Sequence, residues 1–141
     1  MKTKFTPLVK LKKDKLKEAE TALAEANVNL KKAQNELQIA RDDLLKQEAP
    51  QSGSISEFAV SNMLMSAQRE TIKAKQKWVE FASQQVTQFK ENLKFTSLDY
   101  EKFNYLESEQ IKERLKEIAI LEAKDLDEVA LMSFMKKKRA S

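Results

Sequence analysis

Large apolar residues fall on two seven-residue lines in this chain, one in each half. In the first half Leu16, Leu23, Leu30, Leu37 and Leu44 recur, with Val9 one heptad earlier. In the second half Phe58, Met65, Ile72, Val79, Val86 and Leu93 do the same. A seven-residue apolar period is the pattern of supercoiled helices. The two lines mirror each other about residue 51: 44 with 58, 37 with 65, 30 with 72, 23 with 79, 16 with 86 and 9 with 93, every pair adding to 102. The pattern predicts an all-α fold, a long antiparallel two-helix coiled coil (a helical hairpin) with a longer C-terminal helix.

Local signals set the expected boundaries. Thr6-Pro7 reads as an N-cap followed by Pro at the first helical position, where its missing N–H is harmless. Helix one is therefore expected over about 7–48. The one turn cluster, Ala49-Pro50-Gln51-Ser52-Gly53-Ser54, gives a turn at 49–54. Ser54-Ile55-Ser56-Glu57 then has the form of a capping box, opening helix two at about 55. No Gly or Pro follows to the end of the chain, so helix two is expected to reach about 138, and residues 1–141 to form one coiled-coil domain. Three residues after each seam Leu come Ala19, Ala26, Ala33 and Ala40, a small-residue line that reads as core. The matching line of the second arm is mixed: Ser61, Gln68, Lys75, Ala82 and Phe89.

The arms are unequal. With Val9 level with Leu93, everything beyond about Leu98 lacks a partner within the chain. Those roughly 40 residues would project about 60 Å at 1.5 Å per residue. The heptad line also breaks there: it passes from Tyr100 to Glu107, while Ile111, Leu115 and Ile118 restart a stripe four residues later. An apolar stripe without an internal partner points to another protein; the alternative is that the end folds back as a third helix.

Composition narrows the chemistry. Zero Cys and zero His remove disulfides, thiolate sites and the commonest metal ligand and general base. One Gly cannot build a phosphate-cradling loop. A two-helix hairpin also offers no dry cleft to tune its many carboxylates. No catalytic, cofactor or metal site is expected, and the chain reads as no enzyme. The longest aliphatic run, Ile118–Leu121, is far short of a membrane span, and no signal peptide is visible. The expected place is the cytoplasm.

Aromatics and charges mark candidate contacts. Trp78, Phe81, Phe95 and Tyr105 lie off the main seam, whereas Phe89 and Phe103 lie on the weaker line beside it. Seven large apolar residues crowd between Leu93 and Leu106. They either face a partner protein or close the base of the hairpin against Phe5 and Leu8. Residues 1–13 hold five Lys and no acid, and Lys136-Lys137-Lys138-Arg139 lie at the other end. Net charge is only +4, and no aromatic-interleaved basic groove accompanies the two ends, so no nucleic-acid partner is expected.

The layout resembles the FliJ family, the small coiled-coil component of the bacterial flagellar type III export apparatus. The likeness is carried by Phe5-Thr6-Pro7-Leu8-Val9-Lys10-Leu11-Lys12, by the single long hairpin, and by the segment from Tyr105-Leu106-Glu107-Ser108-Glu109-Gln110 to Met135-Lys136-Lys137-Lys138-Arg139. The resemblance implies a non-enzymatic stalk that inserts into the hexameric ring of the flagellar export ATPase and promotes its assembly and activity. It also implies coupling of the ring to the cytoplasmic domain of the export gate's large membrane subunit, and binding of export chaperones. Such a stalk is peripheral to the inner membrane through the apparatus, with no direct membrane insertion. Carried onto this chain, the ring contact falls on Tyr105, Leu106, Ile111, Leu115, Ile118, Lys136, Lys137, Lys138 and Arg139. The gate contact falls at the hairpin tip, on Gln38, Arg41, Leu45, Met63, Leu64 and Gln68. Phe58 is the only aromatic residue near that tip, and it belongs to the seam. Apart from the resemblance, the residues also fit a homodimeric scaffold or tether unrelated to export, with the unpaired 100–138 segments of two chains zipped together.

Overall fold

The computed structural model describes residues 1–47 and 50–140. They form two helices, α1 (Thr6–Lys46) and α2 (Ile55–Ala140). This is the helical hairpin with a longer C-terminal helix that the heptads predict, and α2 continues without folding back as a third helix. α1 begins one residue before the expected 7 and stops at Lys46. The expected end at 48 and the first turn residue, Ala49, lie outside the described residues. α2 starts at Ile55 as expected and runs two residues past 138. The chain divides into two compact units, Lys15–Ser97 and the pair of segments Met1–Asp14 with Leu98–Ser141.

The helix starts are built differently from the expectation. Thr6 does not act alone before Pro7. Thr3 accepts a hydrogen bond at Oγ1 from Phe5 N–H (3.1 Å), while Thr6 Oγ1 accepts from Thr3 N–H (2.8 Å). A threonine thus takes the reciprocal role that Glu or Gln usually plays in a capping box, and Thr3 is buried. At α2, Glu57 N–H donates to Ser54 Oγ (3.3 Å), which is half of the expected box. The Glu57 carboxylate lies instead beside Gly53, whose φ is 147°. That backbone conformation requires glycine, and a Cβ there would also push the flexible Glu57 carboxylate aside.

In the unit Lys15–Ser97, burial follows the two predicted lines except at Phe58, which was expected on the seam and is exposed at the start of α2. Ala19, Ala26, Leu37, Ala82 and Val86 are buried. Leu16, Leu23, Leu30, Ala33, Ala40, Leu44, Met65, Gln68, Ile72, Lys75, Val79, Phe89 and Leu93 are half-buried. The pairing between the lines differs from the mirror about residue 51. The cross-helix ion pair Glu36–Lys75 (3.0 Å) joins numbers that add to 111, not 102. One number on, at 112, the pairs standing level across the seam are Leu23 with Phe89, Leu30 with Ala82, Ala26 with Val86, Ala33 with Val79 and Ala19 with Leu93. In four of these five pairs an alanine opposes a larger residue, so the two axes can approach. A seam of large residues facing large ones would hold them apart. Because α1 ends at a level near residue 65, the first ten or so residues of α2 have no helix opposite. Gln47 and Pro50 lie beside them, lining a groove with Ser56, Glu57, Val60 and Leu64.

In the other unit the same antiparallel level holds. The Lys12 ammonium meets Asp99 at 2.6 Å, again adding to 111, and stands 5.4 Å from the centre of the Phe103 ring. Beyond α1's start, Arg114 Nη1 donates to the Lys2 carbonyl at 2.9 Å. The N-terminal segment thus reaches the level of Arg114, and the expected unpartnered stretch from Leu98 is shortened to one beginning near Leu115. Nor does the heptad line break at residue 100. Tyr100, Phe103, Glu107 and Gln110 are all half-buried, continuing both lines of the seam. Polar residues occupy two of those four seam positions, where Glu107 Oε2 and Gln110 Oε1 are buried without a protein hydrogen-bond partner.

Candidate interaction surfaces

The features that stand out among the described residues are surfaces. Among the described residues no side chain is both large and wholly buried, no group of acids could hold a metal ion, and no helix is long and apolar enough to cross a membrane. Three apolar surfaces stand out.

The first is a trough midway along the unit Lys15–Ser97. Ala22, Ala26, Asn29 and Ala33 on α1 face Trp78, Phe81, Ala82 and Phe89 on α2, around a cleft of about 620 Å³. Small side chains on α1 leave the gap. Trp78 and Phe81 flank it edge to face, ring centres 6.0 Å apart and planes at 89°. Both rings are more than half exposed. Their off-seam spacing marked them as outward in the sequence. The trough itself was missed, because the Ala line read only as core and the level of the pairing was off by more than a heptad.

The second is the hairpin tip. Of the residues expected there, Leu45 and Met63 are strongly exposed (82% and 72%) and Leu64 about half. Leu64 lines a groove with Gln47, Pro50, Glu57 and Val60. Gln38 and Arg41 are exposed on α1, Gln38 Nε2 donating to Asp42 on its own helix at 3.0 Å. Gln68 differs from them: it sits on the seam, half-buried, with its side-chain oxygen enclosed and unpartnered. Ile55 (88%) and Val60 (56%) join the tip surface. They escaped sequence reasoning because nothing in the turn's composition tells that α2 outruns α1.

The third is the C-terminal part of α2. Every residue from Lys112 to Ala140 is exposed. They include Leu115, Ile118, Ile120, Leu121, Leu126, Val129, Leu131, Met132, Phe134 and Met135. The expected ring-contact group divides here. Tyr105, Leu115, Ile118 and the basic residues Lys136, Lys137, Lys138 and Arg139 are exposed. Leu106 and Ile111 are half-buried, at the level of the N-terminal segment. The exposed stretch of about 26 residues beyond Arg114 is roughly 39 Å long at 1.5 Å per residue.

Comparison with known proteins bears on these surfaces. The family model described as flagellar FliJ protein matches residues 1–139. No curated protein and no solved structure matches the chain.

Proposed function

This chain belongs to the FliJ family of flagellar proteins, and on that premise we propose that it is the non-enzymatic stalk of the flagellar export ATPase complex. In this reading it inserts into the ATPase ring, promotes ring assembly and hydrolysis, and couples the ring to the cytoplasmic domain of the export gate. It also receives export chaperones. It works in the cytoplasm, held near the inner membrane through the apparatus. The observation that carries the reading is the fully exposed apolar stretch beyond Arg114. Helices bury such stripes against a partner, and among the described residues the apolar side chains from Leu115 to Met135 are left exposed. The ring contact is assigned to Tyr105, Leu115 and Ile118 with the basic residues Lys136–Arg139, and the gate contact to Leu45, Met63 and Leu64 at the tip. Leu106, Ile111 and Gln68 support these surfaces from within the hairpin.

The test is ATP hydrolysis by the cognate export ATPase titrated with the full chain, alongside the ATPase's oligomeric state. The reading expects stimulation and a shift to hexamers at about one chain per ring. A variant ending at Arg114 should keep the helical hairpin and lose the stimulation. Undiminished stimulation by that variant would remove the ring contact from the C-terminal stretch, and no effect of the full chain in excess would remove the stalk reading.

A further inference from the structure

The exposed end of α2 carries an order of charges that the stalk reading does not use. The stripe restarted by Ile111, Leu115 and Ile118 continues in heptad steps through Glu122, Asp125, Val129, Met132, Lys136 and Arg139. All six of these are exposed. Glu122 and Asp125 share one shallow groove with Leu126 and Val129, so the acids and the aliphatics lie on the same face. Along that face the order is two acids, two apolar residues, two bases. Read backwards, it is its own complement.

We propose that residues 122–139 pair with the same residues of a second copy of this chain, antiparallel, about a two-fold axis between Val129 and Met132. In the register whose numbers add to 261, Glu122 meets Arg139 of the second copy, Asp125 meets its Lys136, and Val129 meets its Met132. The two-fold repeats each contact, as an isologous interface must. Four opposite-charge pairs then enclose two apolar pairs, with Leu126 and Met135 flanking the seam. A parallel pairing in register sets Glu122 on Glu122, Asp125 on Asp125, Lys136 on Lys136 and Arg139 on Arg139. Charges at the seam therefore choose the orientation. Few apolar side chains are buried, so the association is weak and governed by concentration. It covers the basic residues Lys136–Arg139 assigned to the ring, so self-pairing and ring entry compete for them. The inference goes beyond the stalk reading and stands without it.

Sedimentation equilibrium of the full chain, from micromolar to near-millimolar concentration, tests the proposal. The expected mass rises from 16.3 kDa toward twice that value. Glu122→Lys with Asp125→Lys makes the face wholly basic, and Lys136→Glu with Arg139→Glu makes it wholly acidic. Each double variant alone should associate at least ~10-fold more weakly than the parent, since like charges then oppose each other. An equimolar mixture of the two should recover the association, because acids again meet bases. The chain lacks cysteine, so Val129→Cys mixed with Met132→Cys should oxidise to the mixed disulfide in preference to either homodisulfide. All four positions of the charge variants are exposed, so their far-ultraviolet dichroism should match the parent. A monomer at every concentration overturns the proposal. So does a dimer indifferent to both charge variants, a mixture that fails to recover, or a Val129→Cys homodisulfide as the main product.

Discussion

The pair Lys12–Asp99 provides the sharpest energetic test of how the terminal segment is held to α2. Its atoms are 2.6 Å apart and its side chains only 21% and 23% exposed, the most covered ion pair among the described residues. Exposed pairs contribute about 0.2–1 kcal/mol, and breaking a fully buried pair costs about 3–5 kcal/mol. A pair covered over some three-quarters of its surface should couple by about 1–1.5 kcal/mol, nearer the first limit because both heads still reach water. The Lys12 ammonium also stands over the Phe103 ring at 5.4 Å, worth a further ~0.5–1 kcal/mol. Lys12→Ala should therefore destabilise more than Asp99→Ala. A double-mutant cycle on the two positions, read by urea unfolding with helical dichroism, isolates the pair from the ring contact. The local pair Glu70–Lys73, at 3.4 Å with side chains about 70% exposed, is the internal control and should couple by no more than ~0.5 kcal/mol. The reasoning fails if the Lys12–Asp99 coupling lies within ~0.3 kcal/mol of zero, the ordinary error of additivity. It also fails if the two single variants lose stability equally.

Other predictions concern the seam, the turn and the trough. Leu37 is the one buried leucine, at 8% exposure, and Leu37→Ala should cost about 2 kcal/mol, the low end of the core range because a two-helix interface is open at its sides. Leu45→Ala, at 82% exposure, should stay within ~0.5 kcal/mol of the parent in the same urea titration. Gly53→Ala should destabilise by roughly 1–3 kcal/mol, since φ of 147° suits glycine alone and the new Cβ meets Glu57; unchanged stability would mean the turn adopts another path. Trp78 is the only tryptophan and 61% exposed, so its emission should resemble that of a tryptophan in water and be quenched readily by acrylamide. A blue-shifted, protected emission would place it in a covered trough.

The sequence disclosed the periodicity and hid the level. Two heptad lines dictate which face of each helix is buried, and Ala26, Leu37, Ala82 and Val86 lie where that rule puts them. Yet two seven-residue lines set three residues apart still match after a slide of ten, the distance between the mirror's 102 and the observed 112. Pairing Leu37 with Met65, as the mirror does, keeps an apolar seam, as does the observed level that brings Ala33 to Val79. What decides between them is size matching of Ala against Val, Ile and Leu, and a return segment that runs beside the start of α2. Neither leaves a mark in the spacing of the lines. The same slide moved the onset of the unpartnered stretch from Leu98 to Leu115, because the segment around Thr3 carries no apolar period and was not counted as a partner. Of the candidate sites, the exposed C-terminal stripe was legible because apolar residues without a mirror partner must face outward. The trough between Ala26 and Trp78 was not, since it exists only at the true level.

The bare stretch after Arg114 has a consequence for how the chain holds its own backbone. Elsewhere each turn of helix is kept closed partly by what it rests on, whereas from Leu115 to Met135 every residue is exposed and the helix rests mainly on its own hydrogen bonds and side-chain propensities. Amide hydrogens should accordingly exchange along a gradient. Those near Val86 would open only with the hairpin, whereas those past Leu115 would open turn by turn from the end. Whatever docks on this stretch must also stop that fraying. Part of each contact's strength is spent on ordering backbone, and the lifetime of the bound state is set as much by the helix's own winding as by the surface it touches.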